Sequence, residues 1–344
     1  MAQTDSPSVW HATLLALALG GAGAFVAALI GLPAPALTGS AIAITLAGLA
    51  GLHLDVLQPM RNLAFLIIGM TMGTGVTPDV IESARQWPIT FIALAVSTVA
   101  TFALGALILR HYWRFDRATA ILSSTPGHLS YILGLSTEGR GDIAIVSVVQ
   151  SIRVLALTLL VPFAIAGFGL VGEPGVPRAS MALAGLIVTT LGAAGLGFLL
   201  QRLRVPAALL LGGMFVSTAL HLFGWVAGDV PQWLSWPAFA VMGTVIGTRF
   251  SGVRLETLKS SLAAGGAVTF IAFAACLAAA LVVGQFVDVP LSHLLVAFAP
   301  GGVEAMAATA ILMNADPAFV AAHHVWRLTI LTFLTPLVLS RDRI

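Results

Sequence analysis

Two arginines raise the question of chemistry in this sequence. Arg153 and Arg327 each follow an aspartate, Asp142 or Asp316, by eleven residues within runs that are otherwise almost free of charge. If the aspartates cap helices, with Pro317 at the first helical position of the second run, eleven residues amount to roughly 16 Å of rise. Each guanidinium then lies deep in an apolar segment. Such an arginine costs at least about 2.5–3.5 kcal/mol at the centre of a bilayer, so it must face a cavity or a partner rather than lipid. Glu304 is the acid placed well inside an apolar segment, and one carboxylate cannot neutralise two guanidiniums. Two readings stay open. The arginines hold an anionic substrate or exchange partners during a movement, or one of them forms a fixed ion pair with Glu304.

Other polar residues fall near these two. Gln150 precedes Arg153 by three positions and His324 precedes Arg327 by three, so each pair shares a helix face, which Ser147 extends in the first case. His324 is a candidate proton relay, whereas His323 points elsewhere and satisfies a local hydrogen bond. Upstream lie two breaks, "TPGHLS" from Thr125 and "APGGVE" from Ala299. Proline lacks an amide hydrogen and clashes with the preceding turn, and glycine tolerates backbone angles other residues avoid, so a helix does not run smoothly through either. The candidate substrate-binding set is Thr125, Pro126, Gly127, His128, Ser130 and Gln150 with Arg153, and Pro300, Gly301, Gly302, Glu304 and His324 with Arg327.

The elements that position these residues are membrane helices. The 344 residues are 58% hydrophobic and 9% charged, against about 25% charged in an ordinary soluble domain. Uncharged runs long enough for the roughly 20 residues that cross a bilayer recur along the chain. The first, residues 11–30, has no Lys or Arg before it and exceeds the usual signal-peptide core, so it is expected to remain in the mature protein. The single cysteine, Cys276, provides neither a disulfide framework nor a thiolate metal site.

A shift of 174 residues superimposes "IIGMTMGT" (67–74) on "VMGTVIGT" (241–248), Asp142 on Asp316, Arg153 on Arg327 and Pro162 on Pro336. A shift of 173 superimposes Phe25 on Phe198, Pro33 on Pro206 and Gly39 on Gly212. The chain therefore reads as two copies, 11–170 and 180–340, each with six apolar segments. The third segments carry Gly69/Gly73 and Gly243/Gly247, a spacing that lets helix backbones approach closely.

The positive charges narrow the topology to one net crossing for the fifth and sixth segments together, and the Pro-Gly break selects the fifth as the non-spanning one, a Pro-kinked spanning helix being the alternative. If all six segments of each copy crossed, the 14 Arg and Lys outside the segments would divide seven to seven. If the fifth, Pro-Gly-broken segment of each copy enters and leaves on one side, 12 gather on one face and only Arg85 and Arg178 remain on the other. The expected fold is thus an all-α polytopic membrane protein of two inverted repeats of about 170 residues. Each has five transmembrane helices plus one re-entrant hairpin, about ten crossings in total, with both termini cytoplasmic. Nine residues either side of a break rise roughly 14 Å, half the hydrocarbon core, so the two tips are expected to meet near the midplane.

These residues resemble the AbrB family of bacterial membrane proteins. The resemblance rests on "APGGVEAMAATAILMNADPAFVAAHHVWRLTILTFLTP" and, more loosely, "TPGHLSYILGLSTEGRGDIAIVSVVQSIRVLALTLLVP", in which the break precedes a helix bearing arginine and a closing proline. The first copy departs from the pattern at His128 and Ser130, which suggests different jobs for the two hairpins. The resemblance implies a transporter of the bacterial inner membrane, a family named for an association with gene regulation and also labelled ammonia monooxygenase. It is distinct from the small soluble DNA-binding regulators of the same name. The hairpin arrangement is also similar to elevator-type carboxylate carriers, a likeness of fold alone.

The expected function is secondary transport of a small anionic or zwitterionic metabolite by alternating access about the paired breaks. No Walker A motif is present, so the coupling ion would be a proton or Na+. A membrane-embedded regulator that binds a metabolite without moving it is the alternative. An oxygenase is disfavoured because His323 and His324 diverge around a helix and the other histidines are dispersed. No catalytic residue, cofactor, metal or nucleic acid is expected. The partners are the substrate, the lipid bilayer and, among the arrangements considered, a second copy in a homodimer.

Overall fold

A computed structural model of the protein describes residues 9–75, 87–126, 132, 141–172 and 179–340. These form thirteen α-helices, one 3-10 turn (Thr248–Phe250) and an isolated bridge between Ser180 and Asp229. The helices are α1 Val9–Leu29, α2 Pro35–Leu49, α3 Gln58–Thr74, α4 Trp87–Tyr112, α5 Arg117–Ser124, α6 Ile143–Gly167, α7 Leu183–Arg202, α8 Ala208–Leu222, α9 Gln232–Gly247, α10 Leu255–Val283, α11 Leu291–Phe298, α12 Val303–Leu312 and α13 Pro317–Ser340.

Among the described residues, α1, α4, α6, α7 and α10 are long and apolar enough to cross a membrane. Their outer faces fit that solvent. Leu183 and Leu191 of α7, Phe270 of α10 and Phe333 of α13 are exposed, whereas the buried set is rich in Ala, Gly, Ser and Thr. A water-soluble domain rarely exposes large apolar side chains in this way.

Packing divides the chain into two compact units, each drawing on both halves of the sequence. One comprises residues 1–74 and 178–254, the other 75–177 and 255–344.

In the first unit small residues carry the close approaches. A Cβ on Gly23 would meet the Gly39 carbonyl and one on Gly39 the Gly23 carbonyl, which fixes α1 antiparallel to α2. A Cβ on Gly197 would meet Leu209 and one on Gly212 the Gly197 backbone, so α7 and α8 approach closely and antiparallel as well. Gly69 and Gly73 of α3 sit on Leu210, Met214 and Ser217 of α8, and Gly243 and Gly247 of α9 sit on Leu37, Ser40, Ala41 and Ile44 of α2. The helix-packing role expected of these glycines is therefore observed. Both pairs run parallel, since increasing numbers on one helix meet increasing numbers on the other. Ala34 and Ala207, the residues before α2 and α8, both adopt left-handed backbone, with φ of 50° and 53°.

In the second unit the long helix α10 packs against α4 and α6, α5 lies on α6, and α11 lies on α13. Thr119 of α5 accepts a hydrogen bond from the Asp142 amide at the start of α6 (2.8 Å). Arg117, at the start of α5, donates to the Val338 carbonyl near the end of α13 (3.1 Å). Val146, in the first turn of α6, shares a cluster with Leu339 in the last turn of α13. The start of α6 and the end of α13 thus lie at the same level. Pro162 and Pro336, read as closing prolines, lie inside α6 and α13, which continue past them.

Candidate functional site

The site is built at two helix ends in the second unit, that of α5 before Pro126 and that of α11 before Pro300, the second followed by a further helix, α12. Asp116 caps α5 by accepting from the Thr119 amide (3.0 Å), and the helix stops at Ser124 because Thr125, ahead of Pro126, is held in an extended conformation (ψ 115°). α11 stops in the same way at Phe298, with Ala299 extended (ψ 125°) ahead of Pro300. The Gly301 amide then donates to the Ala299 carbonyl (2.9 Å), a tight turn around the proline. α12 begins after Gly302 and carries Glu304 in its first turn.

The glycines do not act as their conformational freedom suggested. Neither Gly301 nor Gly302 has a positive φ, and Gly302 sits at φ −69° and ψ 144°, a conformation open to any residue. The break is made by Pro300. A Cβ on Gly301 would come within 2.8 Å of the flexible Met306 side chain, which would have to shift to admit it.

An interrupted helix leaves carbonyls without amide partners at its C-terminal end, where the helix dipole is negative. Both arginines serve these carbonyls. Asp142 caps α6 by accepting from the Ala144 and Ile145 amides (2.9 and 3.1 Å), and Asp316 caps α13 through the Ala318 and Phe319 amides (2.8 and 3.1 Å). Three turns on, Arg153 Nη1 donates to the Thr125 carbonyl (3.1 Å) and Arg327 Nη1 to the Ala299 carbonyl (2.7 Å). Each spans 28 residues. The neighbours three positions earlier repeat the pattern: Gln150 Nε2 donates to the Leu122 carbonyl (2.6 Å) and His324 Nε2 to the Val296 carbonyl (3.2 Å), again across 28 residues. Gln150 also donates to Thr125 (3.0 Å), and Arg327 Nη2 to Ala297 (2.8 Å).

The two guanidiniums are 1% and 2% exposed, so each buried charge is matched by carbonyl dipoles rather than by water. Within each pair the arginine also contacts its neighbour: Arg153 Nη2 donates to Gln150 Oε1 (2.5 Å), and Arg327 Nη1 to His324 Nδ1 (3.3 Å). A guanidinium only donates and a carbonyl only accepts. The two contacts therefore fix His324 as the neutral tautomer with its hydrogen on Nε2.

The ion pair to Glu304, one of the two readings left open by the sequence, is not formed among the described residues. Among the described residues the ion pair present is Arg61 with Asp55, remote in sequence from both breaks. Glu304 is half-buried at the N-terminal end of α12, where the dipole favours a carboxylate, while Arg327 is committed to the opposite end of the preceding helix.

Thr125, Pro126, Gln150 and Arg153 are thus brought together at the first break, and Pro300, Gly301, Gly302, Glu304, His324 and Arg327 at the second. Gly127, His128 and Ser130 lie outside the described residues. Sequence reasoning missed the clamp's acceptors, Leu122, Val296 and Ala297, because a carbonyl has no signature in residue type. It also missed the surroundings of His323, whose ring is enclosed by Trp87, Phe91, Phe298 and Phe319 and reaches Thr90 Oγ1 (2.7 Å). Among the described residues no three His, Cys, Asp or Glu side chains gather as a metal site.

Residues 37–341, both clamps included, match the family model described as "Transition state regulatory protein AbrB". The chain belongs to the AbrB family. Two relatives are 25% identical to it. One is "Putative regulator AbrB" of Escherichia coli (strain K12), aligned over 302 residues, or 86% of each chain. The other is "Uncharacterized protein YhjN" of Bacillus subtilis (strain 168), aligned over 294 residues, or 79% of this chain and 75% of the relative. What this AbrB chain offers chemically is a pair of helix ends whose negative charge is neutralised by buried arginines, the second followed by a helix whose positive end carries an acid.

Proposed function

We propose that the protein is a secondary transporter of a small anionic or zwitterionic metabolite in the bacterial inner membrane, with its site at the interrupted helices. The observation that carries this reading is the repeated clamp. Arg153 and Arg327 tie the C-terminal ends of α5 and α11 to α6 and α13 at the same 28-residue separation. Interrupted helices inside a membrane are tolerated where protein or a water-filled cavity satisfies their ends, and transporters use the ends that remain free to meet substrate.

Since the guanidiniums are occupied by carbonyls, the substrate's anionic group would meet the amides at the start of α12. Glu304, in the same turn, would take an ammonium group. A zwitterion fits both. The inverted-repeat reading is supported by α3 running parallel to α8 and α2 parallel to α9, because segments two and three of copies in the same orientation would pair antiparallel. It is supported again by the start of α6 lying level with the end of α13.

Proteoliposomes loaded with a pH or Na+ gradient, screened for uptake of amino acids, dicarboxylates and aromatic acids, test the proposal. Gradient-dependent accumulation of one class, lost in Glu304→Gln, is expected. Saturable binding in detergent with no uptake under any gradient would replace transport with the second reading, a metabolite-binding regulator. The family description and the name of the Escherichia coli relative favour that second reading.

A further inference from the structure

α13 carries a second imidazole, His323, that the clamp does not use. Its side chain is fully buried, with ring centroids of Phe319, Phe91, Phe298 and Trp87 at 4.0, 4.5, 6.0 and 6.2 Å. Nδ1 lies 2.7 Å from the Phe319 carbonyl, which can only accept, so Nδ1 bears a hydrogen. Nε2 lies 2.7 Å from Thr90 Oγ1, and that hydroxyl lies 2.9 Å from the Trp87 carbonyl. Thr90 has one hydroxyl hydrogen for two acceptors. With a neutral ring it turns to Nε2 and leaves the Trp87 carbonyl. With a proton on Nε2 the ring donates to Thr90, the hydroxyl donates to Trp87, and every contact in the chain is made at once. Aromatic faces around the ring attract the resulting cation.

We propose that His323 is a proton-binding site: a proton from solvent adds to the Nε2 lone pair, and the Thr90 hydroxyl rotates to the Trp87 carbonyl with no other bond broken. Its role as the coupling site of transport rests on the reading above. The position 174 residues earlier is Val149, which packs among Leu109, Ala120, Ala264 and Val268, so the site belongs to one half of the unit only. The alternative relay, His324, has both nitrogens fixed by an acceptor and a donor and offers no lone pair while Arg327 stays in place. The elements packed on His323 bring Trp87, Thr90 and Phe91 from α4 and Phe298 from α11, none of them charged. On α13 itself the neighbours are neutral His324 and, one turn on, Arg327. Arg327 opposes a second charge, and its seat on the negative end of α11 limits that opposition.

The test is nitrogen NMR of the full chain labelled at histidine, in lipid nanodiscs without substrate. The His323 resonances are those lost in His323→Asn. They are expected to move to imidazolium positions on acidification within about pH 4–8, and Thr90→Val is expected to weaken proton binding about tenfold or more. If His323→Asn does not fold, Thr90→Val carries the assignment. A His323 ring that stays neutral to the lowest pH at which the protein is folded, or an unchanged titration in Thr90→Val, overturns the site. A titrating ring in a protein that transports nothing overturns the carrier reading instead, so the two failures are distinguishable.

Discussion

The two breaks solve one electrostatic problem with different side chains. At the first, an amide serves beside the arginine: Gln150 covers two carbonyls, Leu122 and Thr125, and shares the second with Arg153. At the second, an imidazole has only one N–H to give, so His324 covers Val296 and Arg327 covers both Ala297 and Ala299. The residues beside the breaks differ as well, with Ser123 and Thr125 opposite Ala297 and Ala299. What both keep is a guanidinium on the last carbonyl before proline. The arginine is therefore the fixed part of the design, and its companion is exchangeable if it can reach one carbonyl a turn earlier.

The largest expected effect comes from removing the fixed part. Arg327→Met strips the Ala297 carbonyl and His324 Nδ1 of their donor, leaves the Ala299 carbonyl only the Gly301 amide, and should destabilise the second unit by about 2–6 kcal/mol. Arg153→Met, with Gln150 still on Thr125, should cost less. Thermal unfolding of the two variants in detergent reads the order, and an equal or reversed ranking would break the comparison. Next comes overpacking in the first unit. Gly69→Ala and Gly243→Ala each push a methyl into a facing carbonyl, of Leu210 and Leu37, and should each cost about 1–3 kcal/mol. Gly21→Ala, with open space around it, serves as the silent control.

Exchanging the companion should matter less. His324→Gln is expected to lose under about 1.5 kcal/mol, the size of one net hydrogen bond, because glutamine makes the same reach at position 150. A loss as large as that of Arg327→Met would show that the imidazole is not exchangeable. The smallest effect is expected at Ser123, whose Oγ is buried without a hydrogen-bond partner. Ser123→Ala should leave stability unchanged or raise it by up to about 1 kcal/mol, since the equivalent position in the other half is already Ala297. Unimpaired melting with abolished uptake would instead make that hydroxyl a ligand for the cargo.

The sequence carried the punctuation of this fold more clearly than its contacts. Asp142 and Asp316 cap the helices their spacing implied, and Pro300 interrupts where a missing amide must interrupt. The first uncharged run, expected over residues 11–30, agrees with α1 to within a few residues. That Arg153 and Arg327 are buried followed from charge scarcity alone. What they touch did not follow, because a carboxylate is visible in a sequence and a row of unpaired carbonyls is not. Glu304 was a natural partner by type, yet a guanidinium in reach of a helix C-terminus finds its negative charge in the backbone. The role of His323 was hidden for a related reason, since Trp87, Thr90 and Phe91, part of its surroundings, lie more than two hundred positions away.

The exchange of partners in the first unit bears on how the chain is made. Because α3 seats on α8 and α2 on α9, the face of α3 stays unfilled until the ribosome has produced residue 222 and that of α2 until residue 247. The early half must therefore wait in the bilayer with its Gly69/Gly73 face uncovered, and severing the gene between the halves should yield fragments that survive only when synthesised together.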